Sequence, residues 1–270
     1  MFVQGTIVFT AVRRHKRHAP MPADSSNIAH GPQQELAAVA AHVPLLASLS
    51  DASRERLIET ARLERFAARA LVISEGQMPQ YLHIILSGLV EMSSVFQDRD
   101  CTALIISEGD MFMPAAVMWE EPYLVSARAL TPVRLLLLDA ETLRDEVVRT
   151  PALALKLARV MAGQWRVALR LILDLKCRSP SQRAAAFLLR LHDSATTGTI
   201  AEIPFSKRQL ASRIGMQPET LSRTLQTLAD NGLYLRGRQI IVRDREAIEA
   251  FCGPDPYPSS DEHQLGVHAL

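Results

Sequence analysis

Cysteine is scarce in this 270-residue chain: three, at 101, 177 and 252, are too few and too unevenly spaced for a disulfide framework or a zinc motif. A reducing cytoplasm is the natural compartment. No stretch reaches the roughly 18 consecutive apolar residues of a membrane helix, so a membrane partner is not expected. Net charge is almost absent at +1. Any strongly charged surface must therefore be regional. The chain also lacks a nucleophile paired with its base, a metal-ligand cluster and a phosphate-cradling glycine loop, which argues against an enzyme. What it has is length for two domains plus extensions, and 48% hydrophobic residues, ample for buried cores.

The regional charge lies near the C-terminus. From Lys207 to Arg245, eight Lys/Arg face three carboxylates, a balance of +5, in the segment PFSKRQLASRIGMQPETLSRTLQTLADNGLYLRGRQIIVRDR (204–245). Ser206 and Gln209 have the spacing of a capping box, and Gly215 ends the helix they open. Leu210, Ala211 and Ile214 fall inward, leaving Lys207, Arg208 and Arg213 for solvent or phosphate. Pro218 suits a first helical position and starts a second helix that runs to about Asn231, with Gly232 as its stop. Leu221, Leu225 and Leu228 form its buried face. Glu219, Ser222 and Arg223 share another face, where an acceptor, a hydroxyl and a guanidinium match base edges in a major groove. The run 233–235, the turn Arg236-Gly237-Arg238 and the run 240–242 make a hairpin with cations at its tip. The pattern predicts a winged helix-turn-helix that contacts double-stranded DNA through Ser206, Lys207, Arg208, Gln217, Glu219, Thr220, Ser222, Arg223, Arg236 and Arg238.

Upstream, the pattern predicts an α+β protein. Residues 36–150 carry short apolar segments (ALVIS, YLHIILSG, LVEMSSVF, CTALIIS, YLVSARAL, VRLLLL) separated by turn residues, as in a compact β-roll that holds a small ligand or is filled by its own side chains. Residues 151–178 predict a long helix opened by Pro151. Leu157, Met161, Gln164, Ala168, Leu171 and Leu175 alternate there in steps of four and three, the spacing of a coiled-coil seam, and two copies are expected to pair along it as a homodimer. The alternative is that this face packs on the chain's own roll. Residues 179–252 form the DNA-binding domain. Residues 1–35, with the basic cluster 13–18, and the acidic, Pro-rich tail 253–270 are expected to be flexible. The early apolar run precedes the charges, the wrong order for a secretory signal, and Met21 is a second candidate start.

The order of roll, long helix and helix-turn-helix, with EGQMPQYLHIILSGLVEM (75–92) and QPETLSR (217–223), resembles the CRP/FNR superfamily of bacterial transcription regulators over about residues 42–252. The resemblance implies a cyclic-nucleotide-binding-like β-roll, a dimerisation helix and a C-terminal winged helix-turn-helix that an event in the roll reorients. RNA polymerase is the implied partner of an activator. Glu219, Ser222 and Arg223 match the E-x-x-S-R pattern of the FNR-like branch, which implies TTGA-type half-sites in an inverted repeat. The segment PAAVMWEEPYLVSARAL (114–130) is similar to the ferrous-iron-transport regulators called FtrB.

Departures from the superfamily narrow the signal. The phosphate cassette of cyclic-nucleotide binders resembles G-E-L followed by R-S-A; here the positions hold Gly109-Asp110-Met111 and Val125-Ser126-Ala127. Without that arginine a buried phosphate loses its obvious cationic partner, Arg128 standing nearby but at a different position of the pattern, so cyclic AMP is not the expected effector. No cysteine precedes 101, which argues against an FNR-type iron-sulfur cluster. GDMFMPAAVM lacks the Cys and His that hold haem in the superfamily's carbon-monoxide sensor. His83, in the strand YLHIILSG, is the candidate ligand for haem or iron, with a structural histidine as the alternative. Cys101 and Cys177 are redox candidates or ordinary packing residues. The metal, if any, is not identified. The competing function is a regulatory module whose roll and winged helix act through protein contacts.

Overall fold

The computed structural model describes residues 33–96, 99–194 and 201–253. The basic cluster 13–18, Met21 and the tail beyond Gly253 lie outside the described residues. Three helices open the described chain: α1 (Gln33–His42), α2 (Pro44–Ala47) and α3 (Asp51–Glu59). The expected extension therefore gives way to helix two residues before position 35. Strands β1 (Arg62–Phe66), β2 (Leu71–Ile73), β3 (Tyr81–Ser87), β4 (Val90–Phe96), β5 (Arg99–Ile106) and β6 (Met111–Phe112) follow, then the short helix α4 (Pro114–Trp119), β7 (Ser126–Ala129) and β8 (Val133–Asp139). Helix α5 (Ala140–Arg149) leads into the long α6 (Pro151–Cys177). The C-terminal part comprises α7 (Pro180–Ser194), α8 (Lys207–Ile214), α9 (Pro218–Asp230), β9 (Leu233–Arg236), β10 (Gln239–Val242) and α10 (Arg245–Cys252).

The eight roll strands form two antiparallel sheets, ordered β1-β8-β3-β6 and β2-β7-β4-β5. Alternation sorts their side chains into two cores. Leu135 and Leu137 of β8, Ile85 of β3 and Phe112 of β6 meet between the sheets, while Leu136, Leu138, Leu82 and Ile84 point the other way, against α1–α3, α5 and α6. Burial on both faces explains why VRLLLL reads as an unbroken apolar run. Glu146 of α5 is buried and ties this helical layer together. Arg56 of α3 donates to both of its oxygens at 2.7 and 2.9 Å, and the Thr150 hydroxyl adds a third bond at 2.6 Å. The Arg56 guanidinium above all, with the Thr150 hydroxyl, holds the Glu146 carboxyl down at about 2 against the cost of its burial.

Helix α6 begins at Pro151, and its length follows from a run of good helix formers with Gly163 as the one weak position. One face packs on the roll through Leu153, Leu157, Val160, Gly163 and Val167. This corrects part of the seam expected from spacing. Leu157 is buried in the chain's own core, Leu171 packs against it, and Gln164 donates to the Met111 carbonyl at 2.8 Å. Met161 and Ala168 are half-buried and Leu175 is exposed. The apolar stripe left open runs instead through Leu155, Ala158, Ala162, Trp165, Leu169 and Ile172, again in steps of three and four. Among the described residues no helix is long and apolar enough to cross a membrane.

Candidate functional site

The local signals in the C-terminal part act as their chemistry dictates. Ser206 Oγ accepts from the Gln209 amide while the Gln209 side chain accepts from the Ser206 amide, so both ends of the capping box are made. Gly215 closes α8 at φ 74°, and Pro218 stands at the start of α9. Gly232 turns the chain at φ 84°, where a Cβ would come within 2.5 Å of Asp244. The β9–β10 hairpin is pinned underneath, since Ile203 and Arg238 pair through their backbones and Arg238 Nε also donates to the Ile203 carbonyl at 2.7 Å.

This frame displays the polar residues singled out from the sequence. Ser206, Lys207, Arg208, Gln217, Glu219, Ser222, Arg223, Arg236 and Arg238 are exposed, and Thr220 is half-buried. Leu221, Thr224 and Leu228 anchor the opposite face of α9 in the domain core. Ser222 Oγ donates back to the Pro218 carbonyl at 3.3 Å, so it must turn away from its own helix to meet a base. Arg213 departs from expectation. Its guanidinium lies over the Phe187 ring of α7, 5.4 Å from the centroid, and burial with neighbouring Arg190 lowers its pKa to about 10. Spacing within α8 gave no hint of this, because the ring it covers comes from another helix. Arg245 is likewise engaged, forking onto Asp193 at 2.8 and 2.9 Å and reaching Glu249. Arg213 and Arg245 are thus taken up by contacts within the domain, and the other six of the eight cations lie on α8, α9 and the wing hairpin with its flank.

Contacts join this part to the roll and to α6. Helix α8 packs on β5, and the Thr102 amide donates to Ser212 Oγ at 2.9 Å. At the end of α6, Asp174 holds Arg178 at 3.2 Å and Arg190 of α7 at 2.8 Å.

Two family models match, the cyclic nucleotide-binding domain over residues 63–149 and the Crp-like helix-turn-helix domain over 182–251. Both fall on the elements just described, in the same order. The chain belongs to the CRP/FNR superfamily. It is 27% identical over 183 residues to the CRP-like cAMP-activated global transcriptional regulator of Mycobacterium tuberculosis, covering 66% of this chain and 82% of that protein. Identity to the nitrogen fixation regulation protein FixK of Azorhizobium caulinodans is 28% over 194 residues, with 68% and 76% covered. In fold it is similar to FixK2 from Bradyrhizobium japonicum, with a TM-score of 0.64 at 22% identity over 72% of this chain and 98% of that one. A CooA mutant from Carboxydothermus hydrogenoformans gives 0.61 at 19% identity, covering 76% and 92%. The chain is thus a DNA-binding transcription regulator of this superfamily, not an enzyme.

The CRP/FNR roll contains a cavity of about 730 Å³, bounded by β6, α4, the 119–125 segment and α6. A cyclic nucleotide does not fit its lining. Glu75, Asp110 and Glu121 are its charged residues, and no Arg or Lys is among them. Asp110 is buried, lines the cavity and accepts from the Ser107 amide at 2.9 Å. Val125 is half-buried and apolar, and Arg128 donates to the Arg69 carbonyl at 2.9 Å.

Haem or iron at His83 fits no better. The imidazole is buried between the sheets, stacked on Phe112 with centroids 4.8 Å apart, and lines neither this cavity nor the one beside α1. Its Nδ1 is buried without a hydrogen-bond partner, and burial lowers its pKa to about 4. No group of three His, Cys, Asp or Glu side chains among the described residues is arranged to hold a metal. Cys101 and Cys177 are exposed thiols and Cys252 is buried, where desolvation raises its pKa.

Proposed function

We propose that this CRP/FNR protein acts in the cytoplasm as a homodimer that reads an inverted-repeat operator, under control of an effector other than a cyclic nucleotide. The exposed face of α9, bearing Glu219, Ser222 and Arg223, carries the reading. In the major groove Arg223 pairs with guanine O6 and N7, Glu219 accepts from cytosine N4, and Ser222 serves either partner once it leaves Pro218. Lys207, Arg208, Arg236 and Arg238 hold phosphates and set the register, with Ser206, Gln217 and Thr220 at the helix starts beside them. The apolar stripe of α6 through Trp165, Leu169 and Ile172 supports pairing of two copies, which spaces two α9 helices about one DNA turn apart. RNA polymerase is a partner when the operator lies where a bound dimer activates.

The unfavourable lining supports an effector that is not a nucleotide phosphate, and the buried His83 stack supports a packing role for that ring rather than haem or iron ligation. Fluorescence anisotropy on an inverted-repeat duplex tests the reading. Arg223→Ala is expected to cost about 1–3 kcal/mol on the operator and to relax base preference, while Arg236→Ala weakens all duplexes alike and flattens the salt dependence. Equal losses on operator and random DNA for Arg223→Ala would remove its base-reading role. Absence of salt-sensitive DNA binding altogether favours the alternative, a module working through protein contacts.

A further inference from the structure

The chemistry of the roll cavity names the class of effector, an inference that rests on the regulator reading above. We infer that the cavity between the roll and α6 is the receptor site for an uncharged, predominantly apolar small molecule. Its volume of about 730 Å³ is that of a small-molecule site. Met92, Leu104, Ile106, Phe112, Tyr123 and Val167 are among its apolar wall residues. Three methionines, Met92, Met111 and Met113, give that wall an adaptable, polarisable surface suited to a flat or irregular apolar body.

Charge decides against an anion. A carboxylate or phosphate entering here meets Glu75, Asp110 and Glu121 and leaves water with no cation in the lining to compensate. The neutral polar groups are few. Tyr123 Oη donates to the Tyr81 carbonyl, and the Gln164 amide, which donates to the Met111 carbonyl, spans from α6 to the roll. A ligand with an acceptor therefore competes with the Met111 carbonyl for the Gln164 N–H. Because Gln164 and Val167 belong to α6, an occupant touches directly the helix that carries the open apolar stripe and leads to the DNA-binding domain.

The mouth carries exposed apolar side chains. Trp119 and Leu124, 81% and 83% exposed, both line it and gain cover only if an apolar body sits beside them. Helix α4, which ends at Trp119, is bracketed by two non-glycine residues in the left-handed region, Met113 at φ 61° and Glu120 at φ 56°.

Two dyes that share a ring skeleton and differ by one sulfonate test the inference on the purified full-length protein. N-phenyl-1-naphthylamine, uncharged, should saturate at a single dye per chain, and 1-anilinonaphthalene-8-sulfonate should bind roughly tenfold more weakly or worse. Ala116→Trp fills the cavity from α4 and should weaken the neutral dye by roughly tenfold or more. Ala115→Trp, at an exposed lining position, should do the same if Ala116→Trp fails to fold. The inference is overturned if the neutral dye does not saturate, if both variants bind it like the wild type, or if the sulfonate binds as tightly at the same site. Anisotropy on an inverted-repeat duplex with the same preparation separates the two readings. DNA binding without a dye site sinks the cavity inference alone, and a dye site without DNA binding, whether the dye is absent or saturating, sinks the regulator reading.

Discussion

Leu169→Glu combined with Ile172→Glu should turn the protein from a dimer into a monomer while leaving each chain folded. Both side chains are exposed on α6, at 41% and 42%, so a carboxylate there costs the single chain little. In a two-fold pair each position occurs twice along the seam. A fully buried Leu or Ile contributes about 1.5–3 kcal/mol, and since these are already more than half covered, pairing gains about 1 kcal/mol from each. Four such side chains amount to about 4 kcal/mol, roughly a thousandfold in the dissociation constant, before repulsion between the introduced carboxylates is added. Sedimentation velocity over a micromolar concentration series reads this, with far-UV circular dichroism as the check on folding. Wild-type protein should sediment as two chains and the variant as one. A folded variant that remains dimeric refutes the assignment of the seam to this stripe.

Two further predictions concern acid stability. His83 is held neutral with its pKa lowered to about 4, below the 6.5 of an unfolded histidine. The unfolded chain therefore takes up the proton first, and the contribution of this group, full above pH 6.5, is lost as pH falls towards 4. His83→Leu should remove about 2–3 kcal/mol of the stability difference between pH 7 and pH 4.5 in urea titrations, and an unchanged difference contradicts the buried neutral ring. Glu146 is depressed to about 2 from 4.5, so its contribution is full above pH 4.5 and fades as pH falls towards 2. Glu146→Gln should destabilise by about 1–3 kcal/mol at pH 7 and flatten the loss below pH 4.5. Equal acid sensitivity in variant and wild type would show that the Arg56 pairing does not set this carboxyl.

Legibility in the sequence followed the range of the interactions. Ser206 with Gln209, Gly215, Pro218 and Gly232 act within a few residues of themselves, so the helix-turn-helix could be read with its ends in place. The six apolar roll segments were visible as well. The strand RLERF (62–66), the two-residue β6 and the helices α1–α5 were not, since their apolar residues are few or their partners distant. Helix α6 shows the limit most clearly. It has two apolar faces of equal spacing, and periodicity cannot say which one faces the roll; only contacts such as Gln164 to Met111, 53 residues away, separate them. Arg213 was read as a surface cation because nothing local reveals Phe187 beneath it. At the cavity, the missing arginine at Val125 was legible. The apolar wall was not, because it is assembled from segments between Glu75 and Val167.

Selection of bound sequences from a random duplex pool by the purified protein tests the central claim most directly. The account predicts enrichment of an inverted repeat with TTGA-type half-sites about one helical turn apart, lost when Arg223 is replaced by alanine. A pool that stays random, or that yields single half-sites without symmetry, would contradict a dimer reading DNA through α9.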